Sequence, residues 1–371
     1  MESTIGGTRR HIIDVARGQH RAGLDVHLAV AAERTPGFLT DLDELRAEGI
    51  GVTRIPMARE IRPSKDLAHA RRLVRLLREL RPAVVHTHSS KAGALGRYAS
   101  IRTGIGQRVH TPHTYSFLFN SMFSRPKRAL FRRIETWLGA RTERIISVSE
   151  TEAQTIGDSG VVPRERIRVV PNGIDPAPWM EAEPFPRAEL AVPAGVPLTM
   201  VAGLLNVAKG QDVALRALAR PGLERLYLLL AGEGETEHEL RELAAELGVT
   251  DRVRFLGWRS DLPRLLRACD LLWLPSRWEG MPYIALEAMA AGLPVVATRV
   301  DGARDLIDHG ESGHLVPLDS PPALAEATVR LLASSPEQRA AMGAAGRERV
   351  LARFTSEQMV RGLLAVYEEL V

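Results

Sequence analysis

The feature that most constrains this chain is a rhythm. Short β-branched or leucine-rich runs alternate with amphipathic helical patterns along almost its whole length. The runs read as strands near Val26–Ala31, Val52–Pro56, Ala83–His86, Arg108–Thr111, Ile145–Val148 and Arg168–Val170. A second series falls near Leu198–Ala202, Leu226–Leu230, Val253–Phe255, Leu271–Leu274, Pro294–Ala297 and His314–Val316. Such alternation predicts parallel sheets with helices on both faces, an α/β architecture. At 371 residues the chain is longer than one ordinary core supports, which predicts two domains. Between the two series lies PNGIDPAPWMEAEPFPRAELAVPAGVP, rich in proline and without periodicity, which reads as an ordered but non-repetitive connector. The boundary is expected at about residue 178, dividing 1–177 from 178–354. The last pattern, FTSEQMVRGLLAVYEELV, predicts a separate final helix over 355–371, capped by Thr355 or Ser356.

Composition excludes several classes. No apolar run approaches the ~18 residues a bilayer span needs. No charged-then-apolar leader opens the chain, so a cytoplasmic protein is expected. The single cysteine, Cys269, cannot form an internal disulfide and sits among apolar residues, which predicts a buried structural thiol. Of 49 basic residues only Lys65, Lys91, Lys127 and Lys209 are lysine, and the net charge is +4. That is an arginine-biased composition rather than a nucleic-acid footprint, and it makes a lysine at a motif position more informative. The opening MESTIGGTRRHIIDVARG is unusual because the Gly6-Gly7 turn feeds a helix with no strand before it. Either Met1–Ile5 forms a stub, or the first strand is missing and Met1 is internal to a longer reading frame.

The stretch PSRWEGMPYIALEAMAAGLPVVAT places Glu279 in a turn and Glu287 about one turn inside the following helix. Pro282 is expected as the first helical residue, and Gly292 and Pro294 as the stop. The amides of Gly280, Met281, Tyr283 and Ile284, with the positive end of the dipole, suit a phosphate. Glu287 suits a ribose diol and Glu279 the hydroxyls of an attached sugar; a first-turn glutamate and a surface glutamate are the plain alternatives. In VAGLLNVAKGQD, the strand ends near Gly203 and Lys209 sits at a strand–loop–helix junction, either solvated or reaching a diphosphate as a point charge. Gly232 and Gly234 of LLLAGEGETEHEL fit a tight turn as well as close ligand approach. Gly257 and Trp258 of VRFLGWRSD fit the lining of a base pocket.

In the first half, His86, His88, His110 and His113 fall at strand C-terminal ends, where open α/β sheets bind ligands. No Cys, Asp or Glu accompanies them at closed-site spacing, so no metal is expected. His113 is the better substrate contact, with a satisfied core histidine as the alternative. The segment from Phe117 to Trp137 mixes Phe117, Phe119, Met122, Phe123 and Phe131 with Arg125, Lys127, Arg128, Arg132 and Arg133, which fits an anionic membrane surface or an ordinary solvated helix. The DLD at Asp41–Asp43 lies in a helical run and is not read as a metal–nucleotide signature.

Together, Gly6-Gly7, NGID at Asn172–Asp175, AKG at Lys209, GEG at 232–234, FLGW at 255–258 and the E-x7-E stretch resemble the retaining, GT-B-fold glycosyltransferases of family four, over essentially the whole chain. The resemblance implies two Rossmann-like domains facing a central cleft. The C-terminal domain would hold the nucleotide sugar and the N-terminal one the acceptor, while the final helix would cross back. It implies transfer of a hexose-type sugar from a UDP-, GDP- or ADP-sugar to a saccharide or lipid-linked saccharide, with retention. No metal, cofactor or nucleic acid would be involved, and the setting would be cell-surface polysaccharide or glycolipid assembly at the inner membrane face. Glu287 matches the ribose glutamate, Glu279 the donor-sugar glutamate, Lys209 the phosphate lysine, His113 the histidine at the reacting sugar, and Gly7 the loop facing the diphosphate. The sequence departs at Leu204, where the family usually carries an arginine. A non-catalytic nucleotide-sugar binder and a GT-B sugar-nucleotide epimerase remain as alternatives.

Overall fold

The computed structural model describes residues 6–31, 36–58, 60–118 and 123–371. The chain divides into two compact units, Met1–Asn172 with Ser356–Val371, and Gly173–Thr355. The division thus falls after Asn172 rather than at 178. The closing helix, Ser356–Glu368, packs with Gly7–Arg21 in the first unit.

Every expected strand overlaps an observed one. The first unit carries β1 (His27–Val30), β2 (Gly51–Arg54), β3 (Val84–His88), β4 (Gln107–Thr111), β5 (Arg144–Ser147) and β6 (Ile167–Val169). Among the described residues these form two parallel sheets, β1-β2 and β3-β4-β5-β6. The expected stub at Met1–Ile5 lies outside the described residues, as do Phe119 and Met122 of the aromatic–basic segment. Gly6 precedes the first helix with φ near +91°, and Gly7 is its first residue. Glycine adopts that backbone at little cost.

The second unit carries β7 (Leu198–Ala202), β8 (Tyr227–Ala231), β9 (Val253–Gly257), β10 (Leu271–Leu274), β11 (Val295–Thr298) and β12 (Gly313–Val316). They form one parallel sheet in the order β12-β11-β10-β7-β8-β9. Counted from its own first strand, this is the doubly wound order of a dinucleotide-binding fold, and the order reverses between β7 and β10. Helices cover both faces, so β7, β10 and β11 are buried at every position, and their sequences are apolar but for Thr199 and Thr298. Trp273 is fully buried, and its indole N–H donates to Thr328 Oγ1 at 2.8 Å. Cys269 is buried as expected, and burial pushes its thiol pKa up.

Helices Ser90–Thr103 and Arg125–Gly139 are joined by a buried ion pair. Arg97 donates to both Glu135 oxygens, at 3.0 and 2.8 Å, and its Nε donates to the Gly93 carbonyl. Removing one partner strands the other charge in the core, which costs far more than the pair contributes. Glu135→Ala is therefore expected to destabilise the first unit by about 3–5 kcal/mol, read as a lowered urea midpoint. Joint replacement of Arg97 and Glu135 by leucine should recover most of that loss.

Candidate active site

In open α/β sheets the crevice for a ligand opens where the strand order reverses. In the second unit that point is flanked by the loops after β7 and β10, and these loops carry Lys209 and Glu279. The first runs through the short 3-10 turn Val207–Lys209 into helix Gln211–Leu218. The second runs from Pro275 to the helix Tyr283–Ala290. Lys209 Nζ donates to Glu279 Oε1 at 2.6 Å, and Ser276 Oγ donates to the same oxygen at 2.7 Å. Both side chains are largely shielded, 25% exposed for the lysine and 11% for the glutamate.

The glycines of this region are explained by packing. A Cβ on Gly210 would stand 2.1 Å from the Pro275 carbonyl oxygen, so only glycine lets the two loops touch. A Cβ on Gly203 would stand 3.4 Å from Lys209 Cε, so the bare Cα leaves the lysine stem its path. Side chains on Gly232 and Gly234 would collide with the carbonyls of Gly203 and Leu205. These two glycines therefore fit the tight-packing reading. Gly257 ends β9 with φ near +64°, and the Trp258 amide donates to Glu233 Oε1 at 3.3 Å. Trp258 itself is 66% exposed.

Pro282 is the N-cap of the helix, with extended ψ of 116°, and Tyr283 is the first helical residue; this corrects the expected start by one position. The proline still lacks a donor where the helix could not use one. Met281, Pro282 and Tyr283 are buried, while Gly280 is half-buried. The first turns of the helix return to Pro282, through the amides of Ala285 and Leu286, while the amides of Met281, Tyr283 and Ile284 precede that ladder at the positive end of the dipole. Glu287, 5% exposed, is the fifth helical residue, about one turn inside the helix as expected.

One supporting residue was missed at the level of sequence. Arg277 donates to Asp212 through both terminal nitrogens, at 2.9 and 2.8 Å, to Asp319 Oδ1 at 2.6 Å and to the Val207 carbonyl at 2.7 Å. Its own amide donates to the Ala208 carbonyl. The Lys209 turn is thus tied to the Glu279 loop on both sides of the ion pair. Burial by itself would raise the Asp212 carboxyl pKa, but the hydrogen bonds from Arg277 overcome it and hold it below the ordinary value. With its donors engaged in this way, Arg277 does not stand in for the arginine absent at Leu204. Leu204 contributes only its carbonyl, to Gln211 Nε2 at 2.9 Å. A surface cavity of about 650 Å³ in the same unit, lined by Phe185, Arg241, Arg254, Phe255 and Arg259, takes in Phe255 and Leu256 of the FLGW motif but not Gly257, Trp258, Lys209, Glu279 or Glu287.

In the first unit, β3 and β4 carry the histidines to their C-terminal ends. Of these, His86 has both ring nitrogens engaged and His110 only Nδ1. His86 is bridged between Tyr367 Oη at 2.6 Å and Thr111 Oγ1 at 2.8 Å, and His110 lies against Thr87. His88 Nδ1 lies 3.2 Å from His113 Nε2. His11, not singled out from sequence, joins them from the first helix, its Nδ1 3.0 Å from Asn172 Oδ1 of the NGID motif. Ring nitrogens of His11, His88 and His113 lie within 4.8 Å of one another. A zinc ion at bonds of ~2.0–2.1 Å would need them nearer, at about 3.3 Å, with every facing nitrogen deprotonated. The His88–His113 hydrogen bond instead requires one facing proton. Of the DLD aspartates, Asp41 accepts from Arg9 and Asp43 pairs with Arg46.

Burial lowers the pKa of all five histidines. His11 falls to about 4, against an opposing hydrogen bond from Asn172, and His86 to about 3, with the neighbouring His11 adding to the effect. His88, His110 and His113 lie well below 6.5 for the same first reason. The folded rings stay neutral where unfolded ones take up protons, so between pH 6.5 and about 4 the unfolded state binds more protons and stability rises with pH. Acidification through this window is therefore expected to lower the thermal midpoint progressively. His110→Asn, which removes one such ring, should flatten the slope.

Comparison with known proteins gives the family. A model of glycosyl transferases group 1 matches residues 183–349, and a model of Glycosyltransferase Family 4 matches residues 5–178. A D-inositol 3-phosphate glycosyltransferase of Salinispora tropica is 32% identical over 99% of this chain and 81% of that one. The chain belongs to the family 4, group 1 glycosyltransferases. Another relative of this glycosyltransferase, the Escherichia coli UDP-Gal:alpha-D-GlcNAc-diphosphoundecaprenol alpha-1,3-galactosyltransferase, is 29% identical over 74% of this chain and 73% of that one. Its fold is GT-B. Anabaena Alr3699/HepE in complex with UDP and glucose matches it with a TM-score of 0.83 at 23% identity, covering 100% of this chain and 98% of that one. WaaG, a glycosyltransferase involved in lipopolysaccharide biosynthesis, matches with a TM-score of 0.74 at 19% identity over 100% and 97%.

Proposed function

We propose that this glycosyltransferase moves a hexose-type sugar from a nucleoside diphosphate sugar, UDP-linked by preference, to a hydroxyl of a saccharide or lipid-linked saccharide. The transfer retains anomeric configuration and needs neither metal nor cofactor. The observation that carries the reading is the Lys209–Glu279 pair beside the strand-order reversal of the second unit. A diphosphate arriving there offers Lys209 two negative charges in place of one, and Glu279 is released to accept from hydroxyls of the donor sugar. The positive end of the Tyr283–Ala290 helix adds to the stabilisation of the departing diphosphate, and charge placed before the reaction costs no reorganisation during it. Glu287 accepts from the ribose diol. His113, neutral at physiological pH, contributes a hydrogen bond without drawing the phosphate away. With no carboxylate securely assigned to attack the anomeric carbon, the acceptor hydroxyl approaches on the face the diphosphate leaves, and the leaving phosphate takes its proton.

The UDP preference rests on the relatives, one named for a UDP-Gal donor and one solved with UDP and glucose. Leu204 lends some weight to a weakly active or non-catalytic binder. The decisive measurement is turnover of UDP-hexoses with a lipid-diphosphate-linked sugar, in excess chelator, with the product anomer assigned by NMR. Lys209→Ala and Glu279→Ala should each lower kcat at least ~100-fold with the thermal midpoint retained. An inverted product, full activity in either variant, or donor binding without turnover would overturn the reading.

The same proposal includes contact with the inner membrane face, in the setting of cell-surface polysaccharide or glycolipid assembly. No described helix is long and apolar enough to cross a membrane. Helix Arg125–Gly139, however, leaves Leu130, Ile134 and Trp137 exposed at 52, 38 and 43%, spaced as one stripe and flanked by Arg125, Lys127, Arg128, Arg132 and Arg133. An apolar stripe on a basic helix suits an anionic lipid surface. Co-sedimentation with vesicles containing phosphatidylglycerol should weaken as salt rises and be lost in Leu130→Glu/Trp137→Glu. Equal sedimentation of the variant would overturn the contact.

A further inference from the structure

His113 and Thr114 are consecutive non-glycine residues with positive φ, 50° and 74°, in the turn that leaves β4. That region is sparsely occupied by non-glycine residues and strongly disfavoured for a β-branched one. A turn of this kind persists only where its surroundings over-determine it. The restraint comes from the next strand over. Glu152, in the first turn of helix Glu150–Ser159 and 2% exposed, accepts the Thr114 amide on Oε1 at 2.9 Å. Its other oxygen accepts the Val148 amide at 2.9 Å and lies 2.9 Å from Ser147 Oγ, a hydroxyl also shared with the Ser149 carbonyl. Its own amide donates to the N-cap Ser149 at 3.0 Å. The carboxylate is therefore fixed against the end of β5, and from there it holds the backbone immediately after His113. The ring it steers faces His88 at 3.2 Å and meets His11 edge-on, with centroids 4.8 Å apart.

We infer that Glu152 is a positioning residue for His113: by accepting the Thr114 amide it keeps the strained turn closed and so aims the imidazole used in transfer. The inference rests on the reading that His113 serves that reaction. It is consistent with the chemistry of the site, because a carboxylate can receive amide and hydroxyl donors on both oxygens where an amide side chain cannot. In Glu152→Gln, one of the Thr114 and Val148 amides must face an NH2 group whichever way the side chain turns. The fold keeps its volume and half its hydrogen bonds, so the substitution tests aim rather than packing.

The test uses the full chain in four forms: unaltered, Glu152→Gln, His113→Ala and the double variant. Turnover of a UDP-hexose, donor Kd by calorimetry and the thermal midpoint are measured for each, and 15N-histidine NMR of the His88 and His113 rings for the two forms that keep His113. A misplacement on the order of 1 Å costs about 100-fold in rate. The expected result is a kcat loss of that order in Glu152→Gln, with donor Kd and thermal midpoint held, and with the ring-nitrogen signals of the His88–His113 hydrogen bond shifted. Acting through His113, the glutamine should cost nothing further in the His113→Ala background. Unchanged kcat in Glu152→Gln, losses that multiply in the double variant, or unmoved ring signals would each overturn the inference. If His113→Ala turned over normally, the role assigned to His113 would fall, and the NMR comparison by itself would still decide whether Glu152 aims the ring. Should Glu152→Gln prove unstable, Glu152→Asp, which keeps the charge and shortens the reach, takes its place with the same expected outcomes.

Discussion

The ion pair between Lys209 and Glu279 spans two loops that are 70 residues apart in sequence, and the proposed donor site depends on those loops touching. The approach is permitted by the missing side chain of Gly210 under the Pro275 carbonyl. It is secured by Arg277, whose backbone and guanidinium both reach the Lys209 turn. Because the loops leave β7 and β10 on either side of the point where the strand order reverses, their separation is set by one parallel strand pairing. A lysine and a glutamate placed there hold each other in a defined geometry, one that a diphosphate sugar can divide between its charged and its hydroxylated parts. The pairing also keeps a lysine ordered that would otherwise wander in solvent, which lowers the entropy lost when a ligand binds.

Much of this was legible in the chain itself. Alternating strand and helix periods located the twelve strands of the described residues, most sharply in the second unit, where a parallel strand buried on both faces reads as a near-continuous apolar run such as LLWL or VVAT. The motif glycines stood out because few other signals put glycine directly after such a run. Contacts between distant segments were not legible. Asn172 meets His11 across 161 positions, Arg277 meets Asp212 across 65, and Glu152 meets Thr114 across 38. Nothing in local spacing marks such partners, since each is an ordinary polar residue on its own element. The one-position error at Pro282 has a local cause. Proline fixes φ near the helical value but leaves ψ open, and here ψ is extended.

The histidines of the first unit illustrate how environment overrides side-chain identity. His86 and His110 occupy the strand positions that suggest chemistry, yet both ring nitrogens of His86 are spent on Tyr367 and Thr111, and Nδ1 of His110 on Thr87. His113 differs in where its backbone is held, in a left-handed turn beyond the strand end. Burial keeps all of these rings uncharged, so the group adds no positive field of its own. In a protein whose proposed substrate carries a diphosphate, that leaves the lysine and the helix terminus of the second unit to fix where the anion rests.

The pairing of the first and last helices has a bearing on how the polypeptide matures. Gly7–Arg21 leaves the ribosome before the whole second unit, and its partner Ser356–Glu368 leaves after it. Val360 packs against Gly18, and Gln19 is hydrogen-bonded to Tyr367, so this side of the early helix has no native cover until Ser356–Glu368 has been made. The second unit, by contrast, is contiguous from Gly173 to Thr355 and can close as soon as its own strands are made. The half that emerges first is then the half that finishes last, and during that wait its uncovered surface is the natural place for a chaperone to hold on.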